Sequence, residues 1–227
     1  MNLSPPTIQA IKDYSLLLGK GYPDKRTLEL IADTYKLDRH GRAVLYRGVF
    51  KKEAVIKRRA KIWTGDPPKN AILKVDALNQ FYSIASYLSG QVVFIASDGL
   101  LRDASGYHGE IPDGKIVHRA ILELALFIEG RSDLQVELFL DRQVDACVPV
   151  SAAIIAEFAN RFPQVKIVES DTVDAELSSG EGFLVATSDS TIVDRTLNPV
   201  FDLARYILER NFSGKIPDIA EILSEIE

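Results

Sequence analysis

From residue 71 onward, short apolar runs alternate with longer amphipathic stretches, and this alternation constrains the fold more than any other feature of the sequence. It predicts a mainly parallel sheet with helices on both faces. The runs are almost continuously apolar, as expected of strands that are covered on both sides. The predicted strands are 72–75, 92–96, 136–140, 165–168 and 183–186, and the predicted helices are 78–88, 117–128, 150–160 and 200–211.

The residues before this region have the apolar spacing of short helices instead. A first helix is followed by a second, which Asp24 is placed to cap, and by a third that begins near Arg42. Residues 64–70 contain two prolines and a glycine, which stop both helix and strand and make this segment the best linker. We therefore predict a small all-helical module at 1–66 and an α/β domain at 71–227.

The helical module is basic. Residues 1–61 hold 14 Lys and Arg against 6 Asp and Glu, a net charge of +8, whereas the rest of the chain carries −13. Such asymmetry suggests a basic surface for a polyanion beside an acidic domain. RNA is the partner we expect, with Lys57, Arg58 and Arg59 as backbone contacts. Lysines that only solvate the helices would give the same charge, and a helix-turn-helix is a further, unspecific interpretation.

The composition excludes several other classes of protein. No apolar run approaches the roughly 20 residues that cross a bilayer, so we expect no membrane partner. The start of the chain lacks the basic and apolar regions of a signal peptide. With Cys147 as the one cysteine there is no internal disulfide, and three scattered histidines argue against structural zinc. We therefore expect a cytoplasmic protein.

Acidic residues follow each predicted strand. In an open parallel sheet these positions lie along the carboxyl edge, where ligands bind. Any one aspartate after a strand is more often a turn residue or a helix cap. Several together repel one another unless a cation neutralises them, and Mg²⁺ or Mn²⁺ with oxygen ligands is the usual resolution. The acids are Asp76, Asp98, Asp141, Glu169 with Asp171, and Asp189.

The order of these motifs resembles that of PIN and NYN-type nucleases. The segment 74–79, Lys-Val-Asp-Ala-Leu-Asn, is similar to their opening strand, and 184–189, Leu-Val-Ala-Thr-Ser-Asp, to their late strand. Phe139-Leu140-Asp141 and residues 172–176 resemble the intermediate acidic positions. The resemblance implies a PIN-like three-layer α/β/α domain with a mainly parallel five-stranded sheet.

The same resemblance implies the roles of the site residues. The catalytic residues and ligands of Mg²⁺ or Mn²⁺ would be Asp76, Asp141, Asp174 and Asp189, with Glu176 as a further ligand or a supporting group. Asn79 and Thr187 would orient carboxylates or a substrate phosphate. Ala77 departs from the pattern, because related sequences usually have glycine there.

A second resemblance extends over nearly the whole chain. Gly21-Tyr22-Pro23, Leu28, Leu37 and the segment 42–48 resemble a prokaryotic family designated domain of unknown function 434, in which the helical module precedes a PIN-like domain. A segment of that domain matches 98–109 here. It adds Arg102 and His108 as candidate substrate contacts, although His108 could also only pack within its loop.

Other chemistry finds little support in the sequence. Ser105 and His108 lie three residues apart without a G-x-S-x-G elbow, and no glycine-rich nucleotide loop is present. Two hypotheses stay open: a metal-dependent ribonuclease, and a non-catalytic RNA-binding or regulatory protein on the same fold. A third hypothesis, another kind of Mg²⁺-dependent enzyme that acts on phosphates, has weaker support because no D-x-D motif follows the first strand. The sequence leaves a homodimer open.

Overall fold

The computed structural model describes residues 3–105, 113–142 and 147–225. In chain order the helices are α1 (Pro5–Gly19), α2 (Asp24–Thr34), α3 (Arg39–Gly48), α4 (Lys52–Arg59), α5 (Ala77–Leu88), α6 (Gly114–Glu129), α7 (Val148–Arg161), α8 (Val173–Ser178), α9 (Ser190–Arg195), α10 (Leu203–Asn211) and α11 (Ile219–Ser224). The strands are β1 (Ile62–Trp63), β2 (Ile72–Asp76), β3 (Val93–Ile95), β4 (Leu101–Asp103), β5 (Gln135–Asp141), β6 (Lys166–Ser170), β7 (Leu184–Ala186) and β8 (Val200–Phe201).

These elements form two compact units. The first is drawn from Met1–Ala60, Gly90–Gly106 and Ser213–Glu227, and the second from Lys61–Ser89 and Tyr107–Phe212. The predicted division between 1–66 and 71–227 differs from this arrangement, because two later segments fold with the N-terminal helices. The physical reason is a shared core, in which side chains of those segments pack among the apolar faces of α1, α2 and α3.

Helices α1 and α3 each begin after a residue whose side chain caps the helix. Ser4 accepts a hydrogen bond from the Thr7 backbone and is followed by prolines, which suit a first helical turn. Asp38 caps α3 in the same way, through the backbone N–H of Gly41. Asp24 is not the cap that we predicted. It is the first residue of α2, where its charge still favours the positive end of the helix dipole.

The predicted strand at 92–96 lies outside the parallel sheet. Its central part, β3, pairs antiparallel with β4 in a two-stranded hairpin of the first unit. Phe94 of this hairpin packs against Gly48, where a Cβ atom would lie 2.8 Å from the Phe94 ring and 2.4 Å from the side chain of Ile219. Only glycine allows this close approach, so Gly48 joins the third helix to the hairpin and to α11.

The second unit contains a six-stranded sheet in the order β1-β8-β7-β2-β5-β6, and all its neighbouring strands pair in parallel. The predicted three-layer α/β fold with a parallel sheet is confirmed, with six strands instead of five. The two-residue strands β1 and β8 were not predicted, and the helix predicted at 200–211 begins at Leu203 because 200–201 is a strand.

Helices cover the sheet on both sides. Helices α5, α6, α7 and α10 pack with one another as one layer. Helices α8 and α9 form the other layer, and a buried cluster joins them to the sheet through Phe139, Val173, Leu177, Val185 and Ile192. We call the side under these two helices the α8/α9 face. Among the described residues, none of the helices combines the length and apolarity needed to cross a bilayer.

Candidate active site

Three predicted site residues lie on the α8/α9 face, at the carboxyl edge of the sheet. Asp76, the last residue of β2, pairs with Phe139 of β5, which packs under α8 and α9. Side chains alternate along a strand, so Asp141, two residues further along β5, points to the same face. Thr187 directly follows β7, and its hydroxyl donates a hydrogen bond of 2.9 Å to Oδ2 of Asp76.

The same hydroxyl connects Asp76 to Asp189. Oγ1 of Thr187 accepts a hydrogen bond of 3.1 Å from the backbone N–H of Asp189, so one hydroxyl group bridges the two acidic residues. Both acids also cap helices: Asp76 accepts from the backbone of Asn79 in α5, and Asp189 accepts from that of Thr191 in α9. The capping bonds fix the direction of each carboxylate.

The four predicted acids influence one another electrostatically. Burial raises the pKa of Asp76 to about 7, and the charges of Asp189 and Asp174 contribute to this rise. The hydrogen bonds from Thr187 and Asn79 act in the opposite direction and lower the pKa. Burial also raises the pKa of Asp174, which lies in the first turn of α8, and the charges of Asp189 and Asp141 contribute to it. Arg195 opposes this second rise. The carboxylates therefore share one region of negative potential.

The donor set suits a hard divalent cation in its chemistry. Mg²⁺ and Mn²⁺ prefer carboxylate oxygens, and a cation would relieve the repulsion that adds to the burial-driven rise in the pKa of Asp76 and Asp174. Within 3–105, 113–142 and 147–225, however, no three His, Cys, Asp or Glu side chains form a group that could hold a metal ion. The four predicted acids are close enough for their charges to interact, but their carboxylates do not converge on one point.

Asn79 contacts the turn that carries Asp189. Its Oδ1 accepts hydrogen bonds from the backbone N–H of Ser188 at 2.9 Å, from the Ser188 hydroxyl and from the side chain of Gln80. It therefore holds the turn between β7 and α9, while the predicted role of orienting carboxylates or a substrate phosphate stays a prediction. Gln80 is fully buried, and its own carbonyl oxygen accepts from the backbone N–H of Ala204.

Sequence reasoning missed Gln80 and Ser188, which fix the site through Asn79. Asn79 and Gln80 are polar residues at the start of a predicted helix and carry no signal of burial, and their partners Ser188 and Ala204 lie more than 100 positions away. The sequence motif at Asn79 was the available signal, and it identified the residue without its partner.

Other acids near the edge lie outside this group. Glu169 pairs with Leu140, so it points to the face opposite Asp141. Glu176, a predicted further ligand, accepts hydrogen bonds from the hydroxyls of Ser170 and Thr172 at the start of α8. Asp141 does not cap α7, whose N-cap is Cys147.

Comparison with known proteins gives this architecture a family. Residues 67–206 match the domain of unknown function DUF5616, which is more than half of the chain. The chain belongs to the DUF5616 family. Residues 8–61 match the protein of unknown function DUF434, so the recognised likeness to that family is confirmed for the helical region, whereas DUF5616 accounts for most of the α/β region.

One relative of this DUF5616 protein is the uncharacterized protein MJ0935 of Methanocaldococcus jannaschii. It is 24% identical over 207 residues, which cover 88% of this chain and 96% of that protein. No solved structure matches the chain.

Asp98 does not join the site, although it follows a predicted strand. It lies in the β3–β4 hairpin, fully buried, and Arg102 donates to both its oxygens, at 2.7 and 2.9 Å. Arg58 donates to the same carboxylate at 3.0 Å, and both guanidinium groups lie over the ring of Phe50. Arg58 and Arg102, predicted to contact substrate, are instead buried counter-ions of this carboxylate.

The remaining predicted contacts are on α4 and in the segment after β4. Lys57 and Arg59 are exposed, and Arg59 donates from Nε to the backbone oxygen of Ser97. Two of the three basic residues predicted to contact RNA are thus exposed, and both lie in the region that matches DUF434. His108 lies outside the described residues.

Proposed function

We propose that this DUF5616 protein is a metal-dependent ribonuclease that hydrolyses phosphodiester bonds at the carboxyl edge of its sheet. The observation that carries the proposal is the mutual coupling of four acids on and above one face of a parallel sheet. Burial raises the pKa of Asp76 and Asp174, and the charges of the neighbouring acids add to both rises. Clusters of carboxylates with such raised pKa values are often functional, because structure alone gains nothing from the repulsion.

Asp76, Asp141, Asp174 and Asp189 would hold Mg²⁺ or Mn²⁺. The bound ion would supply an activated water and would stabilise the charge that develops at the attacked phosphate. Thr187 keeps one oxygen of Asp76 in place through its hydroxyl. The raised pKa of Asp76 means that it holds a proton near neutral pH, and that proton would leave when a cation binds.

RNA is the proposed substrate because the helical unit is basic. Lys57 and Arg59 would contact phosphates of its backbone, without base specificity. Asn79 would serve as a positioning residue, since it holds the turn that carries Asp189.

A second candidate function is a non-catalytic RNA-binding or regulatory protein. One observation favours it: the described part of the chain has no three potential ligands grouped around one point. In that case the acids would be helix caps and surface charges, and the basic helices would carry the whole function.

Cleavage of single-stranded RNA with and without Mn²⁺ separates the two candidates. Asp141→Asn should abolish Mn²⁺-dependent cleavage, while the metal-free variant melts at the same temperature as wild type or slightly higher, because a repelling charge is gone. Glu169→Gln is the matched control, since it removes one charge at the same edge on the opposite face. If wild type neither cleaves RNA nor is stabilised by millimolar Mn²⁺, catalysis is rejected and the second candidate stands.

A further inference from the structure

A group of charged and polar side chains lies at the opposite edge of the sheet from the four acids of the candidate active site. It consists of Asp66, Arg131, Tyr206 and Arg210, which we call the Asp66 cluster. Oδ1 of Asp66 accepts hydrogen bonds from Arg131 Nη2 at 2.8 Å, from Arg210 Nη2 at 3.1 Å and from the Tyr206 hydroxyl. Three donors thus converge on one oxygen atom of one carboxylate.

The position of the cluster follows from the connections. Asp66 precedes β2, Arg131 precedes β5, and Arg210 lies at the end of α10, so all three are at the amino edge of the sheet. The four acids of the candidate active site are at the carboxyl edge. A change in the Asp66 cluster therefore removes no group from the proposed catalytic site.

The cluster borders a cavity of about 250 Å³. Leu126, Phe127 and Ile207 are apolar lining residues of the cavity, and Arg131, Arg210 and Tyr206 are among its polar ones. The guanidinium of Arg210 lies 4.2 Å from the centre of the Tyr206 ring, which fixes its orientation. Nε of Arg131 is buried and has no hydrogen-bond partner among the described residues.

The charges of the cluster are unbalanced. Two guanidinium groups carry two positive charges, and Asp66 supplies one negative charge. The hydrogen bond from Tyr206, followed by the charges of Arg210 and Arg131, lowers the pKa of Asp66, so its carboxylate is ionised at neutral pH. One net positive charge therefore remains in the cluster beside the cavity.

A phosphate group has the chemistry that completes this arrangement. It offers several acceptor oxygens and up to two negative charges, and guanidinium groups bind such oxyanions through paired hydrogen bonds. Asp66 is an exposed partner, with 60% of its side chain accessible, and exposed ion pairs are weak because water screens both charges. A phosphate could therefore displace the carboxylate at small cost.

We propose that Arg131, Tyr206 and Arg210 of the Asp66 cluster form a phosphate-binding site. In the protein without ligand, the Asp66 carboxylate occupies this site. The phosphate of the ligand would bind to the two arginines and Tyr206. The rest of the ligand would be apolar or planar and would pack against the apolar lining residues of the cavity. The phosphate could belong to an RNA terminus or to a small phosphorylated compound. The inference does not rest on nuclease activity, because binding needs neither turnover nor a divalent ion.

Calorimetric titration with inorganic phosphate, in metal-free buffer at pH 7.5, tests the proposal. Asp66→Asn should bind phosphate at least about threefold more tightly than wild type, because the competing charge is gone. Arg210→Gln and Arg131→Gln should each weaken binding about fivefold or more. Arg205→Gln, which removes one charge from the same helix and breaks an ion pair with Glu209, is the matched control and should bind as wild type does.

The opposite signs of the acidic and basic substitutions make the test decisive. If the cluster only ties the segment before β2 to the helices, Asp66→Asn lowers the melting temperature and gains no phosphate affinity, and the proposal is overturned. It is also overturned if Arg210→Gln and Arg131→Gln, with unchanged circular dichroism, bind phosphate as tightly as wild type. Binding that is detectable only in Asp66→Asn supports it.

Competition with two phosphorylated compounds, an oligoribonucleotide and adenosine monophosphate, identifies the source of the phosphate. A 5′-phosphorylated oligoribonucleotide that displaces inorganic phosphate better than its 5′-hydroxyl counterpart and better than adenosine monophosphate indicates an RNA terminus. Equal or stronger displacement by adenosine monophosphate indicates a small compound. If neither competes with inorganic phosphate, the cavity does not take a phosphorylated ligand and the proposal fails.

Discussion

Replacing Asp76 with asparagine should stabilise the metal-free protein above neutral pH. Burial and the neighbouring acids raise the pKa of Asp76 from 3.8 to about 7 in the folded state. The folded protein therefore binds this proton more tightly than the unfolded chain does. The stability that the protonated group contributes is fully present below about pH 4 and is lost as the pH rises through about 7.

The size of the effect follows from the two pKa values. A rise from 3.8 to about 7 corresponds to roughly 4 kcal/mol at pH 8. Asp76 keeps partial solvent access, so screening reduces this cost, and asparagine retains an acceptor for the Thr187 hydroxyl. We therefore expect Asp76→Asn to gain about 2 kcal/mol at pH 8, or roughly 5 °C in melting temperature for a chain of this length.

Urea unfolding at pH 5 and pH 8 in metal-free buffer measures this gain. The advantage of Asp76→Asn over wild type should be present at pH 8 and fall to less than half at pH 5. Glu169→Gln, an exposed carboxylate on the other face, should show no such pH-dependent gain. An Asp76→Asn variant that is less stable than wild type at pH 8 would refute the electrostatic reasoning.

Three further outcomes follow from the described contacts. Asp98→Asn should cost about 3–5 kcal/mol in urea unfolding, because it leaves two buried guanidinium groups without their counter-charge, whereas Asp33→Asn, in an exposed pair, should cost less than about 1 kcal/mol. Replacing Lys57 and Arg59 together with glutamine should reduce the slope of RNA affinity against salt concentration by about 2, and an unchanged slope would show an ordinary solvated surface. Gln80→Leu should cost about 1–3 kcal/mol in urea unfolding because it leaves a buried backbone N–H unpaired; a variant as stable as wild type would show that this hydrogen bond is dispensable.

The parallel sheet and its acidic edge could be predicted because both depend on local patterns. The strands that end in Asp76 and Asp141 are apolar runs of ordinary length between clear helices, and the side-chain alternation that aims the two acids is a property of any strand. The two-residue strands β1 and β8 are too short to produce a pattern.

The hairpin could not be separated from the sheet by sequence alone. Val93–Ile95 is buried at every position, and a run of this kind looks the same in a parallel sheet and in a hairpin that is covered by helices. The turn at Gly99, with a φ of 92°, distinguishes the two, but glycine is common in other turns as well.

The roles of polar residues depended on distant partners. Arg58 has the pattern of an exposed basic helix residue, and its burial follows from an ion pair with Asp98, 40 positions away. Asn79 stood in a recognisable motif, yet the turn that it holds comes 109 positions later. Local sequence identified these residues, while the fold decided what each one does.

Calorimetric titration of the apo protein with Mn²⁺ tests the central claim most directly. The claim is that Asp76, Asp141, Asp174 and Asp189 form one cation site. Wild type and Glu169→Gln should bind Mn²⁺ with the same affinity, and Asp189→Asn should weaken binding at least about tenfold, since it removes one of the proposed ligands. Equal binding by all three proteins, or no binding by wild type at millimolar Mn²⁺, would contradict the claim.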